Sequence, residues 1–101
     1  MLKTLADKFE TASWQYAAEH GIERDYDWFI LKLQEEMGEL SQIWNRAKGR
    51  GRRKGMSDAD IATALADEAA DVLGHILLFA NSNGLDLNAA IERKWRFRLE
   101  G

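Results

Sequence analysis

Apolar residues recur at three- and four-residue spacing along most of the chain, the period of amphipathic helices. Leu2, Leu5, Phe9, Ala12 and Tyr16 predict a first helix from about Leu2 to His20, closed by Gly21 in a left-handed cap. A second helix is expected from about Tyr26 to Ala47, with Asp25 as its N-cap. From Lys48 to Gly55, three glycines and five cations in eight residues break the pattern and predict a basic, flexible loop. Ser57-Asp58-Ala59-Asp60 has the form of a capping box and opens a third helix, which runs to about Asn83 and stops at Asn83-Gly84. Asp86 caps a short fourth helix, from about Leu87 to Leu99. Four helices joined by short turns, with no internal repeat, predict an all-α, antiparallel four-helix bundle in one domain over residues 1–101.

Composition narrows the picture. A chain of 101 residues buries a modest core and often gains stability by oligomerising. The long apolar third helix argues for at least a dimer, so a homodimer or homotetramer is expected to complete the bundle. At 46% hydrophobic and 31% charged, the chain is neither a disordered segment nor a membrane protein, and no apolar run reaches spanning length. Without cysteine there is no disulfide, thiolate metal site or cysteine nucleophile. Met1 to Lys8 is charged and amphipathic, unlike a signal peptide, and a cytoplasmic location is expected. A net charge of −3 argues against nucleic acid as a partner.

The informative feature is where the carboxylates fall on the two long helices. At about 100° per residue, with Glu36 at zero, Phe29 and Ala47 lie near 20°, Leu40 near 40°, Leu33 near 60° and Ile43 near −20°. Glu36 therefore sits in the middle of an apolar stripe, with Glu39 at its edge. The third helix repeats this. Glu68 lies among Ile61, Leu65, Val72 and Phe79, and Asp71 is offset by about −60°. Buried carboxylates are costly unless compensated. A hard divalent cation compensates several at once, and Mg²⁺ takes oxygen ligands while leaving positions for water and phosphate. The competing reading is a buried ion pair with Arg or Lys. Spacing alone leaves the two open.

Lys32-Leu33-Gln34-Glu35-Glu36-Met37-Gly38-Glu39-Leu40 resembles the Glu-Glu-x-x-Glu motif of the MazG-like, all-α nucleoside triphosphate pyrophosphohydrolases. Asp67-Glu68-Ala69-Ala70-Asp71-Val72-Leu73-Gly74-His75 resembles their Glu-x-x-Asp motif. The tail from Asn83 to Lys94 is similar to their turn and closing helix, so the resemblance covers roughly Trp28 to Arg98. It implies Mg²⁺-dependent hydrolysis of a (deoxy)nucleoside triphosphate to the monophosphate and pyrophosphate, as nucleotide-pool house-cleaning, with Mn²⁺ as an alternative metal. It assigns Glu36, Glu39, Glu68 and Asp71 to the metal, and Glu35, Glu36 and Glu39 to the catalytic motif. Glu35 points about 100° from Glu36, and either orients water or a second metal or faces solvent. The resemblance also assigns Lys94 to triphosphate charge. One helical turn after that Lys many relatives carry Asn; here the position is Arg98, a further candidate for binding phosphate. Phosphoribosyl-ATP pyrophosphohydrolases are similar too, and the first motif lies closer to the MazG-like branch.

Other residues carry two readings each. His75 either orients Asp71 or is a hydrogen-bonded core histidine. Trp28, Phe29 and Trp44 flank the acidic motif as core residues, with Trp44 the candidate for stacking on a base. Asn81 either contacts a nucleotide or frames its helix end. The loop containing Arg53 either attracts triphosphate or is simply solvated. A di-iron bundle needs Glu-x-x-His on two helices, which the chain lacks. A non-catalytic helical binding module is the remaining alternative, and it leaves four inward carboxylates unexplained.

Overall fold

The computed structural model describes residues 1–99 and contains four helices: α1 Leu2–His20, α2 Trp28–Ala47, α3 Asp58–Ser82 and α4 Leu87–Trp95. No strand occurs among the described residues. No helix there is long and apolar enough to cross a membrane.

The helix ends follow local hydrogen-bonding chemistry. Gly21 takes φ +64° and Gly84 φ +63°, conformations open to glycine because it has no Cβ. These turns let Ile22 and Leu85 donate back to the carbonyls of Ala17 and Ala80. At α3 the capping box is complete: Asp60 N–H donates to Ser57 Oγ, and Ser57 N–H to Asp60 Oδ2. Asp86 Oδ1 accepts from Ala89 N–H and opens α4. Two boundaries differ from expectation. α2 begins at Trp28 rather than Tyr26, yet Asp25 still satisfies the early amides, accepting from Asp27 and Trp28 N–H. α4 stops at Trp95, where Arg96 turns left-handed at φ 61°, so the helix does not reach Leu99.

Antiparallel α2 and α3 form the main packed pair, α1 packs on α3, and α4 makes only slight contact with the other helices. Phe29, Ile43, Ile61, Leu77 and Leu78 are buried, but no large side chain is wholly removed from solvent. The radius of gyration is 16.0 Å. A compact domain of this length has about 13 Å. Gly74 lets α1 approach: a Cβ there would lie 2.6 Å from the Phe9 ring. Arg24 anchors the other side of α1 through Glu10 and Ser13.

Candidate metal centre

α2 and α3 bring one carboxylate oxygen each from Glu36, Glu39 and Glu68 within 4.8 Å of one another. Glu36 is buried at 7% exposure; Glu39 and Glu68 are partly exposed. Such proximity has an electrostatic consequence. Burial, then the neighbouring Glu39 and Asp71, push the Glu36 carboxyl up to about 7 against a small opposing effect of Lys32. Burial, Glu39 and Asp71 also raise Glu68. Oε2 of Glu36 and Oε2 of Glu68 are buried without a hydrogen-bond partner. An unmet buried acceptor is costly, so the seam between the helices is incomplete with protein atoms alone.

The ion-pair alternative accounts for only part of this. Lys32 Nζ lies 3.9 Å from Glu36 Oε1, but also 3.4 Å from Glu35 Oε2 at the surface. One partly exposed ammonium does not neutralise Glu36, Glu39, Glu68 and Asp71. His75 Nε2 is 4.0 Å from Glu36 Oε1. Burial and the charge of Lys32 lower the His75 pKa, so the ring is neutral at pH 7. A set made only of carboxylate oxygens, two of them orphaned, suits a hard divalent cation such as Mg²⁺ or Mn²⁺.

Beside the trio, a cavity of about 500 Å³ opens between α1, α2 and α3. Glu36, Asp71, Lys32, His75, Trp28 and Phe9 are among its lining. Trp28 meets the edge of His75 at 6.1 Å between ring centres, and His75 Nδ1 is buried without a partner. The result is an aromatic chamber with one open ring nitrogen, adjoining a cluster of acids.

The other sequence candidates are distributed as follows. Asp71 is exposed at the cavity rim, close enough to act on Glu36 and Glu68 but outside the trio. Glu35 faces solvent and binds Lys32. Trp44 is exposed, with Lys48 Nζ 4.5 Å above its ring, and does not line the cavity beside the trio. Asn81 donates to Glu10 and lines a separate groove near the start of α4. Arg53 is engaged with Asp58. Lys94 and Arg98 are exposed, and no hydrogen bond or ion pair joins them to the trio. Arg98 also falls beyond the end of α4, so it does not lie one helical turn from Lys94 as expected. Phe9 and Tyr16 of α1 are the participants that the sequence reading did not place here. Lys32 had a signal: at about −40° on the α2 wheel it turns to the same side as Glu39.

No protein-family description, curated protein or solved structure matches this chain.

Proposed function

We propose that the chain is a Mg²⁺-dependent nucleoside triphosphate pyrophosphohydrolase of the MazG-like kind, acting in nucleotide-pool house-cleaning. One observation carries the reading: three carboxylates converge across two helices, with orphaned oxygens on Glu36 and Glu68, beside a chamber of a size to take a base. Glu36, Glu39 and Glu68 hold the cation, with Asp71 joining from the rim. Bound there, Mg²⁺ or Mn²⁺ supplies Lewis acidity toward phosphate oxygens and lowers the pKa of water. Hydrolysis adds water across the anhydride between the α- and β-phosphates and yields the monophosphate and pyrophosphate. Lys32 meets phosphate charge at the cavity mouth. The aromatic walls of Trp28 and Phe9 exclude water around the base. A homodimer or homotetramer completes the bundle, and Lys94 and Arg98 are assigned to triphosphate charge within that assembly.

The test is a product assay on the purified chain with each nucleoside and deoxynucleoside triphosphate and with phosphoribosyl-ATP, with and without Mg²⁺. Mg²⁺-dependent formation of pyrophosphate and a monophosphate is expected. Turnover of phosphoribosyl-ATP alone would move the activity to the histidine-pathway branch. A folded chain that neither binds Mg²⁺ nor turns over any substrate would be a binding module instead.

A further inference from the structure

The net charge of −3 averages two unlike parts of the chain. Between Glu39 and Asp58 lie six cations, Arg46, Lys48, Arg50, Arg52, Arg53 and Lys54, and no acid. The rest holds the other eight cations and all 17 acids. Positive charge is thus concentrated where α2 ends and the chain turns toward α3, and every residue from Lys48 to Gly55 is exposed. Of the six cations, only Arg53 is ion-paired among the described residues, with Asp58. Arg46 and Lys48 suit the negative end of the α2 dipole; the others extend past it. The turn is folded back on the helix. Lys48, Gly49 and Arg50 N–H donate to the carbonyls of Trp44, Arg46 and Asn45, and Arg50 Nε donates to Asn45 Oδ1. At Gly49 and Gly55 nothing lies within 4 Å of where a Cβ would stand, so a phosphate can come close to the main chain between the cations. Trp44, one helical turn before the loop, is 47% exposed, with Lys48 Nζ 4.5 Å above its ring. An exposed indole and a set of unpaired cations therefore share one surface.

We propose that this end of the α2–α3 hairpin binds single-stranded nucleic acid, without regard to sequence. A strand needs two things from a protein: cations that follow its phosphates, and an aromatic on which an unpaired base stacks. Lys48, Arg50, Arg52 and Lys54 supply the first, and Trp44 the second. A duplex would leave the indole unused, because its bases are already stacked on one another. An anionic membrane is disfavoured, since residues 47–55 carry no apolar side chain larger than Ala47 to enter a bilayer. The surface is separate from the metal centre. Lys48 stands nine residues past Glu39, about 14 Å along the α2 axis. A nucleotide held by the carboxylates feels the loop only through its long-range field, whereas a strand lies on it. The inference does not depend on the nucleotide reading.

The test is fluorescence anisotropy of a labelled oligothymidylate of about 12 nucleotides, without a triphosphate, added to the full chain in chelator. The metal centre takes no part in that assay, so its result is independent of the product assay. A Kd of about 1–100 μM in about 50 mM salt is expected, weakening roughly 50-fold by about 200 mM, as four phosphate contacts require. Arg52→Gln with Lys54→Gln should weaken binding at least about 10-fold and halve the salt slope. Trp44→Ala should weaken it at least about five-fold without changing the slope, and Trp44→Phe should recover most of that loss. Helical circular dichroism should be retained in all three. No anisotropy change at about 100 μM chain would overturn the inference. So would strand binding that the double variant leaves intact, which sits elsewhere, or binding indifferent to Trp44, which marks a general anion site. Sedimentation with phosphatidylserine vesicles but no strand binding would overturn it in favour of a membrane contact. Should Trp44→Ala misfold, the double glutamine variant, confined to the exposed turn, still decides.

Discussion

The two seams along α3 are built on opposite principles. Against α1, α3 presents Gly74 and Leu78, and at Gly74 the contact is close and apolar, with Phe9 resting where a Cβ would otherwise stand. Against α2, the same helix presents Glu68 to Glu36 and Glu39 in a partly dry space. The first seam stabilises the fold. The second, the main packed pair, carries a local cost, because burial and like charge hold Glu36 far above its ordinary range. On the proposed function, such a seam trades stability for chemistry, and that trade can be measured.

The largest effect should come from breaking the acidic seam. Glu36→Gln and Glu68→Gln should each reduce turnover at least about 100-fold and abolish most Mg²⁺ affinity. In the metal-free state Glu36→Gln should instead raise Tm, by about 4–8 °C if roughly 1 kcal/mol of strain is relieved. Asp71→Asn should cost comparable activity without that gain, since Asp71 is exposed. Calorimetry with and without Mg²⁺ separates the two effects. Near-normal activity in all three variants would dissolve the contrast between the seams.

The pH dependence follows with the same sign. Glu36 titrates near 7 in the folded chain against an ordinary 4.5, so the folded state binds this proton more tightly than the unfolded state. Metal-free stability should therefore fall as pH rises from about 4.5 to 7, then level off. Glu68 acts in the same direction. His75, with a pKa below its ordinary 6.5, opposes them as pH falls below that value. Because Mg²⁺ needs the ionised carboxylates, its stabilisation should be larger at pH 8 than at pH 6. Equal Mg²⁺-induced Tm shifts at both pH values would place the cation away from Glu36.

The apolar seam is probed by Gly74→Ala. The new methyl meets the Phe9 ring, so a loss of about 1–3 kcal/mol is expected, read as a lower Tm. An unchanged Tm would mean that α1 shifts freely on α3. Smaller effects lie outside both seams. Glu35→Gln should lower turnover less than about 10-fold, since Glu35 faces solvent; a loss matching Glu36→Gln would bring it into the metal shell. Neutralising Arg50, Arg52 and Arg53 together should raise KM by only about 10-fold or less with little change in kcat. An unchanged KM would make the loop a solvated connection.

Helix number, order and most boundaries were legible in the chain because caps and periodicity are local: Gly21, the Ser57–Asp60 box and Asp86 act on amides within a few residues. The convergence of Glu36, Glu39 and Glu68 was legible as well, since a helix wheel already sets those carboxylates on apolar stripes. The end of α4 was not. Its face buries no residue, so little tertiary packing extends the helix past Trp95. The chamber was not legible either. Trp44 and Trp28 flank the acidic motif alike in sequence, yet only Trp28 turns under α1, while Trp44 lies open beneath Lys48. Sequence by itself determined which residues lie together along one helix, because a 3.6-residue turn is set by the backbone. Only the tertiary structure decided which of those faces α1 would roof and which would stay bare, because that depends on contacts such as Phe9 on Gly74, between positions 65 residues apart in the chain.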